Sequence, residues 1–177
     1  MINFSNIKVL IFDCDGVLTD GIYQISENTG TVTKSFYTRD FYAIEQVLRN
    51  GLQVMIVTQS HDRVMYQQLQ RICNHSKFWL DMWCTKKLIL MEGVDNKEQN
   101  IFDELLDRKF GWDNVAYMGD AENDIPSIKK ALFTGCPSDA IEEVKENSNY
   151  ISDFPGGKGA VYDFCMYIYN KNDKENR

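Results

Sequence analysis

The sequence predicts a doubly wound α/β domain: a parallel sheet with helices on both faces and a β-hairpin after its first strand. Short apolar runs rich in β-branched residues, Lys8 to Phe12, Gln53 to Val57, Leu88 to Met91 and Asn114 to Met118, alternate with segments whose apolar residues repeat at helical spacing. Two of these runs stop at acidic clusters, Asp13-Cys14-Asp15-Gly16 and Gly119-Asp120-Ala121-Glu122-Asn123-Asp124. The carboxyl ends of strands are where an open parallel sheet meets its ligand. A length of 177 residues suits one core. Residues 1–170 are expected to form that single domain and 171–177 a polar, frayed tail.

Composition narrows the function. The chain is 44% hydrophobic and 25% charged, a globular balance. Its net charge of −7, with basic residues scattered, offers no stripe for nucleic acid. No apolar run is long enough to span a bilayer, and Met1-Ile2-Asn3-Phe4 lacks the regions of a secretory signal, so no membrane partner and a cytoplasmic location are expected. The five cysteines include no Cys-x-x-Cys and read as reduced, mostly buried thiols. His61 and His75 have no ligand spacing with them.

Taken in order, the strand Lys8 to Phe12 delivers Asp13 and Asp15 to one end. Alternate residues of an extended segment point the same way, so the pair is placed to face one site until Gly16 turns the chain. Acids that close need donors, a proton or a cation, and a divalent metal with an anionic substrate is the expected company. Ile22 to Phe36 alternates as a hairpin around the turn Glu27-Asn28-Thr29-Gly30. Asp40 is placed to N-cap a helix from Phe41 to Asn50, which Gly51 ends. Thr58, at the end of the strand Gln53 to Val57, is either a helix cap or a ligand. His61 to Cys73 has a helical stripe.

Asn74 to Lys86 reads as a loop whose Trp79 and Trp83 either cover a ligand or subunit contact or pack on the body. Lys97 opens a helix to Lys109, where its ammonium and the helix amino terminus would both favour an anion; as a lone lysine it is a surface charge. Asp124, before Ile125-Pro126, is placed to cap a helix and to hold Lys97 or a metal-bound water. Ala131 to Gly135 and Tyr150-Ile151 are short strands, and Ala140 to Glu146 is a helix begun by Ser138-Asp139. The glycine-rich stretch Phe154 to Val161 lacks Walker spacing and is not a P-loop.

Asp13-Cys14-Asp15-Gly-Val-Leu-Thr-Asp-Gly resembles the first motif of the haloacid dehalogenase superfamily of phosphohydrolases. More narrowly it resembles the small capless branch that includes phosphatases of 3-deoxy-octulosonate and nine-carbon sialic-type sugar acids. Thr58 matches the second motif, Lys97 the third, and Gly119-Asp120-x-x-x-Asp124 the fourth. Gly21, Gly30, Lys34, Phe36, Arg39 and Asp40 match the branch's hairpin run, and Gly156-Gly157-x-Gly159-Ala160-Val161 matches its last loop. The chain departs from the pattern at Gln59-Ser60, in the extra residues of Asn74 to Lys86, and at Tyr162 where arginine is usual.

The resemblance implies a Rossmann-like fold and Mg²⁺-dependent hydrolysis of a phosphate monoester through an aspartyl-phosphate. It makes Asp13 the nucleophile, Asp15 acid and then base, and Thr58 and Lys97 the phosphate ligands. Mg²⁺ is implied on Asp13, Asp120 and the backbone carbonyl of Asp15, with Asp124 and Asn123 in support. Hairpins of neighbouring subunits are implied to close a central barrel in a homotetramer. Lys34 and Arg39 are then either solvent-facing charges or, with Lys158, cations at the rim of the substrate site. The implied substrate is a terminally phosphorylated 2-keto-3-deoxy sugar acid, 3-deoxy-D-manno-octulosonate 8-phosphate or a nonulosonate 9-phosphate. Rival readings are a phosphatase of another small phosphometabolite and a catalytically silent tetramerisation domain, like the one ending animal sialic-acid cytidylyltransferases. The intact acids argue against the silent domain.

Overall fold

The computed structural model describes residues 2–175. Its core is a parallel sheet of β1 (Val9–Phe12), β4 (Gln53–Val57), β5 (Leu88–Met91), β6 (Val115–Met118), β7 (Phe133–Cys136) and β8 (Tyr150–Ile151), in the order β5-β4-β1-β6-β7-β8. Side chains alternate across the pleat, so a strand covered on both faces must be apolar throughout. Leu10 and Phe12 enter one cluster with α1 (Thr38–Arg49), α2 (Val64–His75) and α7 (Ala160–Glu175), while Val9 and Ile11 enter the other with α4 (Lys97–Asp107), α5 (Ile125–Ile128) and α6 (Glu142–Asn147). The chain winds outward from β1 to β4 and β5, then returns to β6 on β1's other side. The carboxyl ends of β1 and β6 therefore flank the point where strand order reverses.

The hairpin exists but its ladder is short, with β2 (Gln24–Ile25) pairing antiparallel with β3 (Val32–Thr33). Its first arm leaves Ile22 66%, Tyr23 59% and Ile25 61% exposed. Its base is anchored where Phe36 meets Phe41 of α1, ring centroids 5.7 Å apart.

Several expected boundaries move. Asp40 is not an N-cap. The helix starts at Thr38 after Tyr37, and the buried Asp40 accepts the Tyr162 N–H at the start of α7 at 2.8 Å. α2 begins at Val64 rather than His61, because Asp62 takes the Val64 N–H at 2.9 Å and Arg63 turns left-handed. The supposed loop Asn74 to Lys86 contains a helix, α3 (Lys77–Cys84). Its Trp79 is buried and donates to Glu45 of α1 at 2.9 Å, while Trp83 lies edge-on to Tyr66. Both tryptophans thus pack on the body. α6 begins at Glu142, and Asp139, instead of starting it, accepts the Gly156 N–H at 3.0 Å. α7 continues to Glu175, into the stretch expected as a frayed tail from residue 171.

Candidate active site

The site gathers at the carboxyl ends of β1, β4 and β6. Asp13 follows β1 and its N–H is tied to the Met118 carbonyl of β6 at 3.0 Å, which sets it beside the loop carrying Asp120. Gly16 then turns with φ +91°, and a Cβ there would overlap the Asp120 carboxylate, so only glycine lets the two loops meet.

Among the described residues, carboxylate oxygens of Asp13, Asp120 and Asp124 all lie within 4.8 Å of one another. Lys97, buried at the first turn of α4, places its ammonium 2.7 Å from Asp13 Oδ1 and 2.7 Å from Asp124 Oδ1. Asp124 is further held by the Tyr117 hydroxyl at 2.6 Å and the Asp120 and Ala121 N–H groups at 2.9 and 3.2 Å. Its carboxylate thus organises Lys97 and the β6 loop and does not N-cap α5 with a side-chain bond.

Electrostatically the cluster is unbalanced. Burial and then the Asp124 charge push Asp13 up to about 6, although Lys97 pulls the other way. Burial, then Asp13 and Asp124, push Asp120 up to about 8. Burial alone would favour the neutral amine of Lys97, but Asp13 and Asp124 outweigh it and hold the ammonium above the usual lysine range. Asp120 Oδ1 is buried with no hydrogen-bond partner. Three carboxylates facing one ammonium leave two excess negative charges and an oxygen without a donor. This hard-oxygen set fits a divalent cation of the Mg²⁺ type, with Asp13 and Asp120 facing it while Asp124 is engaged by donors.

Asp15 turns away from that group. Its Oδ1 accepts the Thr19 hydroxyl at 3.0 Å and its Oδ2 lies 2.7 Å from Lys34 Nζ. Thr58, buried at the end of β4, accepts the Ser60 N–H at 3.0 Å, which leaves its hydroxyl proton to give. Asn123 donates to Gln59 at 2.8 Å, and Gln59 donates to the Asp95 carbonyl at 3.2 Å, so the unusual Gln59 ties the β6 loop to the approach of α4. Arg39 and Lys158 are exposed. Of the expected rim cations, Lys34 is the one brought to the acids.

The glycine-rich loop has a different task from holding phosphate. Gly157 N–H bonds the Val17 carbonyl at 2.9 Å, and a Cβ on Gly156 would overlap the Gly16 carbonyl, so this loop packs on the back of the turn after Asp15. Sequence reasoning missed Tyr117 and Asp62. A polar-tipped aromatic in the otherwise aliphatic run before Gly119-Asp120 signalled the first; an aspartate two residues before a helical stripe signalled the second.

No family model matches the chain. It is 31% identical over 166 residues to the 3-deoxy-D-manno-octulosonate 8-phosphate phosphatase of Salmonella typhi, covering 93% of this chain and 80% of the relative. The chain belongs to this phosphatase family. It is therefore a phosphatase. The Haemophilus influenzae phosphatase of the same name, solved in a cobalt-bound form, superposes with a TM-score of 0.82 at 26% identity, over 97% of this chain and 92% of that one. A Legionella pneumophila hydrolase of the haloacid dehalogenase superfamily gives 0.83 at 27%, over 97% and 86%. In this phosphatase family member, Asp13, Lys97, Asp120 and Asp124 converge at one strand-end crevice.

Proposed function

We propose that the protein hydrolyses a terminally phosphorylated 2-keto-3-deoxy sugar acid, with 3-deoxy-D-manno-octulosonate 8-phosphate first in order and a nonulosonate 9-phosphate second. The observation that carries the chemistry is the buried Asp13–Lys97–Asp124 arrangement with Asp120 beside it. The order of substrates is supported by the Salmonella relative. A silent assembly domain would have no need to keep three buried charged groups in contact with a half-buried fourth acid beside them.

In the proposed turnover, an Asp13 oxygen bonds to phosphorus as the ester P–O bond breaks, and the departing oxygen takes its electron pair and a proton from Asp15. Water then attacks the aspartyl-phosphate, gives its proton to Asp15, and the Asp13–phosphorus bond breaks to free phosphate. Lys97 and the Thr58 hydroxyl hold phosphoryl oxygens, and Asp124 keeps Lys97 aimed. Mg²⁺ on Asp13, Asp120 and the Asp15 carbonyl would offset the repulsion between a carboxylate and a phosphate dianion. Asn123 supports the β6 loop through Gln59.

The exposed apolar hairpin supports a homotetramer, and no helix among the described residues is long and apolar enough to cross a membrane; a cytoplasmic enzyme is part of the proposal. Arg39 and Lys158 stand as cations for the substrate carboxylate, each on the exposed surface. The test is phosphate release from a panel of phosphate esters with Mg²⁺. The octulosonate 8-phosphate should exceed hexose phosphates and nucleotides in kcat/KM by at least about tenfold, roughly 1.4 kcal/mol or one charge-assisted contact. Equal activity on a nucleoside monophosphate would overturn the substrate class and leave the phosphatase standing.

A further inference from the structure

We propose that Lys34 is a positioning residue for Asp15, so that the hairpin forms a wall of its own subunit's active site. The inference rests on the reading of Asp15 as proton donor and acceptor. Lys34 is one residue beyond β3, on an element that otherwise faces solvent, yet its side chain is only 4% exposed. Its ammonium lies 2.7 Å from Asp15 Oδ2 and 2.5 Å from Asp62 Oδ2, and reaches Ser60 Oγ at 3.4 Å.

Those acceptors are themselves fixed. Ser60 Oγ donates to Asp62 Oδ2 at 2.7 Å, and Asp62 Oδ1 holds the first helical N–H of α2. An ammonium has three donors, and here three side chains receive them. An exposed lysine–carboxylate pair is worth little because both partners keep their freedom. Here the ammonium is enclosed, and it completes the restraint on Asp15: Thr19 engages one carboxyl oxygen and Lys34 the other. With both oxygens engaged the carboxyl plane cannot rotate, which is the condition for handing a proton to one defined oxygen and later accepting one from water.

Location adds a second argument. Lys34 and Asp62 line a groove of about 530 Å³ between hairpin residues Gly30 to Thr33 and α2 residues Val64 and Gln67. Asp62 is then the anchor that draws Lys34, and with it the hairpin, down onto the motif loop.

The experiment compares K34M and D62N with the unaltered protein on three esters. These are 3-deoxy-D-manno-octulosonate 8-phosphate, glycerol 3-phosphate as an alkyl ester without a carboxylate, and p-nitrophenyl phosphate, whose leaving group departs without a proton. For K34M, kcat/KM should fall at least about tenfold on both alkyl esters and stay within about threefold on the aryl ester, since only alkoxide departure needs the aligned acid. D62N should show the same pattern with a smaller loss. An equal loss on all three esters would overturn the inference, because a structural role does not depend on the leaving group. A loss confined to the sugar acid would make Lys34 a carboxylate-binding rim cation instead. A gain on glycerol 3-phosphate would mean that the ammonium opposes proton donation, which also overturns it. Failure of the unaltered protein to release phosphate from any ester would defeat the underlying reading as well.

Discussion

Replacing Asp13 by asparagine keeps the side chain's size and removes both its nucleophilic oxygen and one buried negative charge. Asp13→Asn should lower turnover by on the order of a thousandfold or more, since the covalent step is lost. The metal-free variant should unfold no earlier than the parent at neutral pH, because Asp120 and Asp124 lose a repulsive neighbour. Phosphate release and a thermal melt check both, and near-parental turnover would move the nucleophile elsewhere. The same charges set a pH signature. Asp13 is raised from 3.8 to about 6 and Asp120 from 3.8 to about 8, so the folded metal-free protein holds more protons than the unfolded chain between about pH 4 and pH 8. Stability of the metal-free protein should therefore fall as pH rises through that window. Lys97 is protonated in both states across it and leaves the slope unchanged. Mg²⁺ should raise Tm more at pH 8 than at pH 5, and a metal-free Tm that climbed over the same range would refute the charge imbalance.

At the level of elements, the glycine-rich loop and the motif loop stand back to back. Gly156→Ala would drive a methyl into the Gly16 carbonyl, and the turn carrying Asp15 must shift to admit it. The expected outcome is a loss of kcat/KM of at least about tenfold, through a misplacement of the order that costs catalysis far more than folding. Activity measured beside a urea titration separates the two. Unchanged activity would mean the loops are not coupled. The carboxylate of Asp40 joins elements in a similar way, running from α1 to the start of α7 across the core. Burial pushes it up to about 6 despite the Tyr162 and Gly159 N–H groups.

For the whole molecule, the hairpin has two roles that use different arms. Its second arm carries Phe36 onto Phe41 and Lys34 onto Asp15, while its first arm shows Ile22, Tyr23 and Ile25 to solvent. A two-stranded ribbon with such a face is marginal unless covered. Light scattering should give the mass of a tetramer, and Ile25→Asp should lower it by placing a charge in the covered face. A monomeric parent with full phosphatase activity would remove the assembly.

The sequence alone determined the strands and their alternation with helices, and it marked Asp13, Asp15, Asp120 and Asp124 as acids at strand ends, whereas Thr58 and Lys97 were marked by the family resemblance. The strands and the acids are legible because each depends on local pattern: an apolar run, or acids where that run stops. Tertiary structure decided what those groups do to one another. It joined Asp124 to Lys97 and gave the Tyr117 hydroxyl to the same carboxylate. It brought Lys34 to Asp15 and Asp62, took Asp40 from its own helix to Tyr162, and made a helix of the segment holding Trp79. A buried polar group binds whichever donor or acceptor the packed core brings within reach, and that neighbour lies on another element at a distance no local periodicity records.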